Sequence, residues 1–116
     1  METKDCLFCK IVSGEVPSSE VYEDDNFIGI LDINPLAEGH TLIIPKKHFR
    51  NLLDLPATLG NELLEAIKKI SLNLIQDGKA EGVNVQSSNE KAAQQEVLHT
   101  HVHIIPRKEN DNIKIN

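Results

Sequence analysis

Five histidines and two cysteines are the side chains of this 116-residue chain best suited to chemistry. Three of the histidines alternate in His99-Thr100-His101-Val102-His103-Ile104-Ile105-Pro106. Thr100, Val102, Ile104 and Ile105 are β-branched, so the run from Val97 to Ile105 is predicted to be a strand. Alternate strand residues share a face, which would set the three imidazoles in a row about 7 Å apart. Leu98, Thr100, Val102 and Ile104 would form the opposite, core-facing side, and Pro106 would end the strand. Near neutral pH an imidazole can act as nucleophile, general acid or base, or metal ligand. A solvated polar face is the plainer explanation of one such histidine; three in strict alternation argue against it.

Two further histidines lie near a second apolar run. His40 immediately precedes Thr41-Leu42-Ile43-Ile44, and His48 follows its closing Pro45 by three residues. Cys6 and Cys9 form a Cys-x-x-Cys pair, which alone fits zinc, a redox couple or two packed thiols. Structural zinc takes four nitrogen or sulfur ligands in a tetrahedron. The two cysteines supply two; His48 and one of the triple-run histidines could supply the rest. No thioredoxin-like βαβ context supports redox use.

The elements that must position these groups are legible from periodicity. Leu7, Phe8, Ile11 and Val12 have helical spacing within residues 6–13, with Gly14 as a stop. Residues 19–23 read as a short strand, 24–26 as a turn and 27–31 as a buried strand, which together make a hairpin. A loop from Asn34-Pro35 to Gly39 leads into the strand 41–44. Asp54 and Pro56 mark a helix start, and Leu59, Leu63, Ile67, Ile70 and Leu74 form one apolar stripe of a helix over 56–77. Residues 83–87 alternate as a fourth strand, 88–96 form a polar loop, and 107–116 form a polar tail with little to bury. The expected fold is α+β: one domain over residues 1–116, with a five-stranded, mainly antiparallel sheet, one long helix and a short N-terminal helix.

Composition narrows the function classes. The formal net charge of −6 disfavours nonspecific nucleic-acid or anionic-membrane binding. An anionic small molecule would have to be held by local N–H donors or histidines. No run of 18 apolar residues is present, and the polar Met1–Asp5 precedes no signal-peptide core, so a cytoplasmic protein with reduced thiols is expected.

Four blocks then resemble the histidine triad (HIT) family of nucleotide hydrolases and transferases, in particular its nucleoside phosphoramidase branch. They are Cys6-Leu-Phe-Cys-Lys-Ile, Asp32-Ile-Asn-Pro, Gly39-His-Thr-Leu-Ile-Ile-Pro-Lys-Lys-His48 and Gln95-Glu-Val-Leu-His-Thr-His-Val-His-Ile-Ile-Pro-Arg107. The likeness runs from about residue 5 to residue 107. It implies that His101 attacks the α-phosphorus of a purine nucleotide conjugate, such as an AMP–amine or GMP–amine, to form a covalent nucleotidyl-histidine that water then hydrolyses. His103 would bond the phosphate, and His99 and His40 would orient and polarise the site. Asp32 would take the ribose hydroxyls. Phe8, Ile11, Ile30, Ile33 and Leu42 would enclose the base. Cys6, Cys9, His48 and His99 would be the ligands of a structural zinc, and the chain would be a homodimer. Beside this reading two alternatives stay open: a nucleotide- or zinc-binding module with little turnover, and, within what the resemblance implies, a dinucleoside polyphosphate hydrolase.

One loop departs from the resemblance. The family usually carries Asn where Ser88 stands, and Gly where Glu90 and Gln94 stand. A side chain restricts the backbone bend that glycine allows near a phosphate. Ser88, Gln95 and Glu96 are therefore the expected phosphate-loop contacts, the last two through backbone or side chain.

Overall fold

The computed structural model describes residues 5–115. Its elements follow in the expected order. A short helix α1 (Leu7–Val12) precedes the hairpin β1 (Glu20–Glu23) and β2 (Phe27–Leu31). Then come β3 (Thr41–Pro45), the long helix α2 (Gly60–Gln76), and the pair β4 (Gly82–Gln86) and β5 (Val102–Arg107). The strands form one antiparallel sheet in the order β1-β2-β3-β5-β4. Among the described residues no helix is long and apolar enough to cross a membrane.

The strand period of two sorts side chains onto two buried faces. Phe27, Ile43, Val102 and Ile104 pack under α2 against Ala66, Ile70 and Leu74. Ile28, Ile30, Leu42 and Ile44 pack on the opposite face with Cys6 and Phe8 of the N-terminal segment. Each such aliphatic or aromatic side chain, once fully buried, contributes roughly 1.5–3 kcal/mol. The predicted stripe on α2 is the core-facing one, with Ala66 fully buried beside it. The α2 helix begins one short 3-10 turn, Ala57–Leu59, after Pro56.

The histidine run departs from its expected form. Strand β5 starts at Val102, so His99, Thr100 and His101 precede it and only His103 is a strand residue. The reason lies in the competing partners. The Thr100 N–H donates to the Phe49 carbonyl at 2.7 Å, which ties this segment to the loop after β3 instead of to a neighbouring strand. The β3–β5 ladder stops at Ile43 opposite Val102, and the Pro45 carbonyl beyond it faces the His99 ring. The three imidazoles still share the face that carries Phe8 and Leu42, each with its own hydrogen-bond partners. Pro106 does not end β5 either. The Arg107 carbonyl accepts from the Glu81 N–H on the β4 side, so the donorless Pro106 nitrogen turns to the other side, where β3 has already ended. Strand β4 lies one residue earlier than expected. The polar tail is tied down at its root, where the Asp111 carboxylate takes a forked contact from Arg107 at 2.8 and 2.9 Å.

Gly39 controls the entry to β3 and the placement of His40 beside it. Its φ is +95°, and a Cβ there would lie 2.7 Å from Leu74 Cδ2. Gly39→Ala is expected to lower the unfolding free energy by about 1–2 kcal/mol, read as a lower urea midpoint at unchanged m-value. A wild-type midpoint would show that neither the turn nor the close approach requires glycine.

Candidate active site

His101 is set up as a bare nitrogen. It is 8 % exposed, and its Nδ1 lies 2.8 Å from the His99 carbonyl. A carbonyl accepts only, so Nδ1 carries the proton and Nε2 of the neutral ring keeps its lone pair. The backbone around it is pinned as well: Ser87 Oγ–H donates to the His101 carbonyl at 2.7 Å, and Thr100 Oγ–H to the Phe49 carbonyl at 3.0 Å. The Phe8 ring stands edge-on to His101, with centroids 5.1 Å apart.

His103 has the opposite tautomer, and a chain of donors fixes it. The Leu36 N–H donates to His40 Nδ1 at 3.1 Å, so the proton of His40 is on Nε2. That nitrogen lies 2.9 Å from His103 Nδ1 and donates to it, which leaves the His103 proton on Nε2. Burial, with nearby His101 and His40 adding to it, pushes His103 down to about 4. Burial also lowers His40, against the pull of Asp32. The Asp32 carboxylate stands 3.5 Å from His40 Nε2 and 3.8 Å from His103 Nδ1, near the pair without a short hydrogen bond to either. The His101 and His103 ring centroids are 5.4 Å apart. A bare Nε2 and an Nε2–H thus sit side by side.

Cys6, Cys9, His48 and His99 offer ligand atoms all within 4.8 Å of one another. Cys6 Sγ is 3.3 Å and Cys9 Sγ 3.5 Å from His99 Nδ1, and Cys9 Sγ is 3.3 Å from His48 Nδ1. Tetrahedral zinc with its usual bond lengths needs sulfur and nitrogen donors about 3.5 Å apart. His99 also has the right tautomer: Nε2–H donates to the Pro45 carbonyl at 2.9 Å, so Nδ1 is free to bind. Burial holds His99 down to about 4 and raises Cys9 to about 11, with Cys6 adding to the latter. The four residues fit zinc.

Asp32, His40 and His103 also converge, and they fit a metal poorly. The Leu36 N–H still points at His40 Nδ1, so a metal on His40 Nε2 would leave that ring with no proton at all. Hydrogen-bond transfer from His40 to His103 suits the donors better.

The loop between β4 and His99 keeps its bends despite its side chains. Glu90 has φ +79° and ψ 162°, a region used almost only by glycine, and Gln94 is left-handed at φ +68°. Strain of this kind costs about 1–3 kcal/mol per residue. Glu90 accepts from Arg50 Nε at 3.0 Å, from a second Arg50 nitrogen at 3.1 Å and from Asn51 Nδ2 at 2.8 Å. Arg50 and Asn51 hold its carboxyl below the usual range. The Gln95 amide is fully engaged. Its Oε1 accepts from the Glu90 N–H and Asn51 Nδ2, and its Nε2 donates to the Arg50 and Val97 carbonyls. A ligand could use only the Gln95 backbone.

The remaining expected residues divide. Phe8, Ile30 and Leu42 share the buried cluster that Ile11 and Val97 pack against, beside His101. Ile33 is 87 % exposed and lies outside it. Ser88 is half-buried and Glu96 exposed. Ser87, Asn51, the Leu36 N–H and the Pro45 carbonyl escaped sequence reasoning, since ordinary backbone groups and small polar side chains carry no pattern. A cavity of about 850 Å³ opens beside Cys6, His48 and Glu90; neither His101 nor His103 lines it.

The HIT domain pattern matches residues 13–110. The chain is 49 % identical over 109 residues to an uncharacterized HIT-like protein of Borreliella burgdorferi, covering 92 % of this chain and 78 % of that one. It is 41 % identical over 108 residues to an adenosine 5'-monophosphoramidase of Candida albicans, covering 90 % and 71 %. A crystal structure of a zinc-bound histidine triad family protein from Mycobacterium smegmatis superposes with a TM-score of 0.91 at 39 % identity, covering 98 % of this chain and 83 % of that one. The HIT domain match over residues 13–110 and relatives up to 49 % identical over 92 % of the chain place it in the HIT family.

Proposed function

We propose that this protein hydrolyses purine nucleoside phosphoramidates of the AMP–amine or GMP–amine type at the α-phosphorus. The observation that carries the reading is the set of hydrogen-bond partners that assigns opposite tautomers to His101 and His103. The lone pair of His101 Nε2 attacks phosphorus, the P–N bond to the amine breaks, and a nucleotidyl-histidine forms. Water then attacks the same phosphorus, the P–Nε2 bond breaks, and the nucleoside monophosphate leaves. One difficult displacement becomes two easier ones. His103 Nε2–H bonds a phosphoryl oxygen. A neutral His103 that gave this proton away would become an imidazolate, so the departing amine takes its proton from water. Asp32 binds the ribose hydroxyls, the Phe8–Ile30–Leu42 cluster with Ile11 and Ile33 receives the base, and backbone groups at Ser88, Gln95 and Glu96 bound the phosphate.

Zinc belongs to the same proposal. Cys6, Cys9, His48 and His99 would hold it, and it would supply a crosslink between the N-terminal segment, the loop after β3 and the residue preceding the nucleophile by two. Two copies of the chain pair as a homodimer. The exposed Leu64, Leu72 and Ile75 of α2, together with Val85 of the edge strand β4, supply apolar surface for it.

His101→Ala is expected to abolish AMP release from an AMP–amine substrate while leaving the circular dichroism spectrum intact. Near-wild-type turnover would remove the covalent step. A wild-type chain that binds AMP yet cleaves no phosphoramidate would instead be a binding module, and one that cleaves only dinucleoside polyphosphates would be the other hydrolase. Metal analysis should find one zinc per chain, absent from Cys9→Ser. Uptake must displace the Cys9 proton, so affinity should fall as pH is lowered; a metal-free wild type at neutral pH with zinc supplied would refute the site. Light scattering at micromolar concentration should give twice the chain mass, and a monomer would overturn the pairing.

A further inference from the structure

Glu90 occupies a backbone region that a side chain enters only when its surroundings over-determine it. Those surroundings are specific. Arg50 presents two nitrogens to the carboxylate in a fork, Asn51 adds a third donor, and the Glu90 N–H closes onto Gln95 Oε1. Gln95 Nε2 returns to the Arg50 carbonyl at 2.6 Å. The knot ties two segments together. Arg50 and Asn51 follow His48 by two and three residues, and Gln95 precedes His99 by four.

The Arg50–Glu90 pair is about half exposed on both sides, and an exposed ion pair adds little to global stability. Its geometry nonetheless fixes one loop against another. A contact of small global weight that forces a costly local bend is suited to holding position.

We propose that Glu90 is a positioning residue. Gripped by Arg50 and Asn51, it holds residues 88–96 in the bent course that sets their backbone groups against a phosphate at His101. The knot thereby does with a carboxylate what glycine would permit but not enforce. The kinetic part rests on the hydrolase proposed above; the part concerning the loop does not.

Glu90→Gly relieves the strain and removes a grip of small global weight, so the urea midpoint should hold or rise. Amide hydrogen exchange across 88–96 should quicken by roughly tenfold, with β2 and β3 unchanged. The KM for an AMP–amine should rise roughly tenfold, with kcat changed by less than about threefold. Glu90→Ala keeps the strain without the grip and should add a lower midpoint to the same loop and KM changes. Glu90→Gln keeps a carbonyl for Asn51 and Arg50 and should recover most of both. Wild-type exchange and KM in Glu90→Gly would overturn the proposal, as would exchange quickened equally through the whole chain. If the wild type cleaves no phosphoramidate, the hydrolase falls, and the exchange rates, which need no substrate, decide the clamp by themselves.

Discussion

The His99 carbonyl accepting the His101 Nδ1–H is the contact on which the rest of the site depends. It chooses which nitrogen of His101 stays bare, and His99 is held for that role by its own burial and partners. His99 is fully buried, its Nε2–H is spent on the Pro45 carbonyl, and its Nδ1 faces two thiols. One residue thus serves two groups, with its side chain in the Cys/His cluster and its backbone under the neighbouring imidazole. A disturbance at the cysteines therefore reaches His101 through a single peptide unit.

Burial decides the protonation states where charge might have been expected to. The chain carries a formal net charge of −6, and among the described residues no lysine or arginine belongs to the converging groups. Dehydration keeps His99 and His103 uncharged at neutral pH. What such a site can offer an anion is aimed N–H bonds, which strengthen in a dry pocket. The Asp32 carboxylate beside His40 and His103 would repel a phosphate, but it suits hydroxyl groups well.

Much of the fold was legible because it rests on periodicity. The α2 stripe expresses one buried face and the continuous apolar runs Phe27–Leu31 and Thr41–Pro45 express two, and burial is what hydropathy records. The histidine run misled for a physical reason: β-branched spacing predicts a strand, but Phe49 captured the Thr100 backbone first. That partner lies 51 residues away and leaves no local trace. Residue types pointed to Cys6, Cys9, His48 and one of the three histidines as a metal-type set, and only the family resemblance singled out His99. The tautomers were not readable, because they depend on the Leu36 amide and on two carbonyls. Glu90 and Gln94 were readable as departures from a pattern. Only the backbone angles show that the bend survived them.

The pairing of β3 with β5 sets Leu42 opposite His103 and brings His40 to the same place, across more than 60 residues of intervening chain. Between them runs α2, which can form on local contacts. Closing so long a loop comes late in folding, because its entropy must be met before the ladder rewards it. A helical, partly collapsed intermediate would therefore carry all five histidines and none of their mutual geometry. In a refolding experiment, competence would be the last property to return, well after the helical signal.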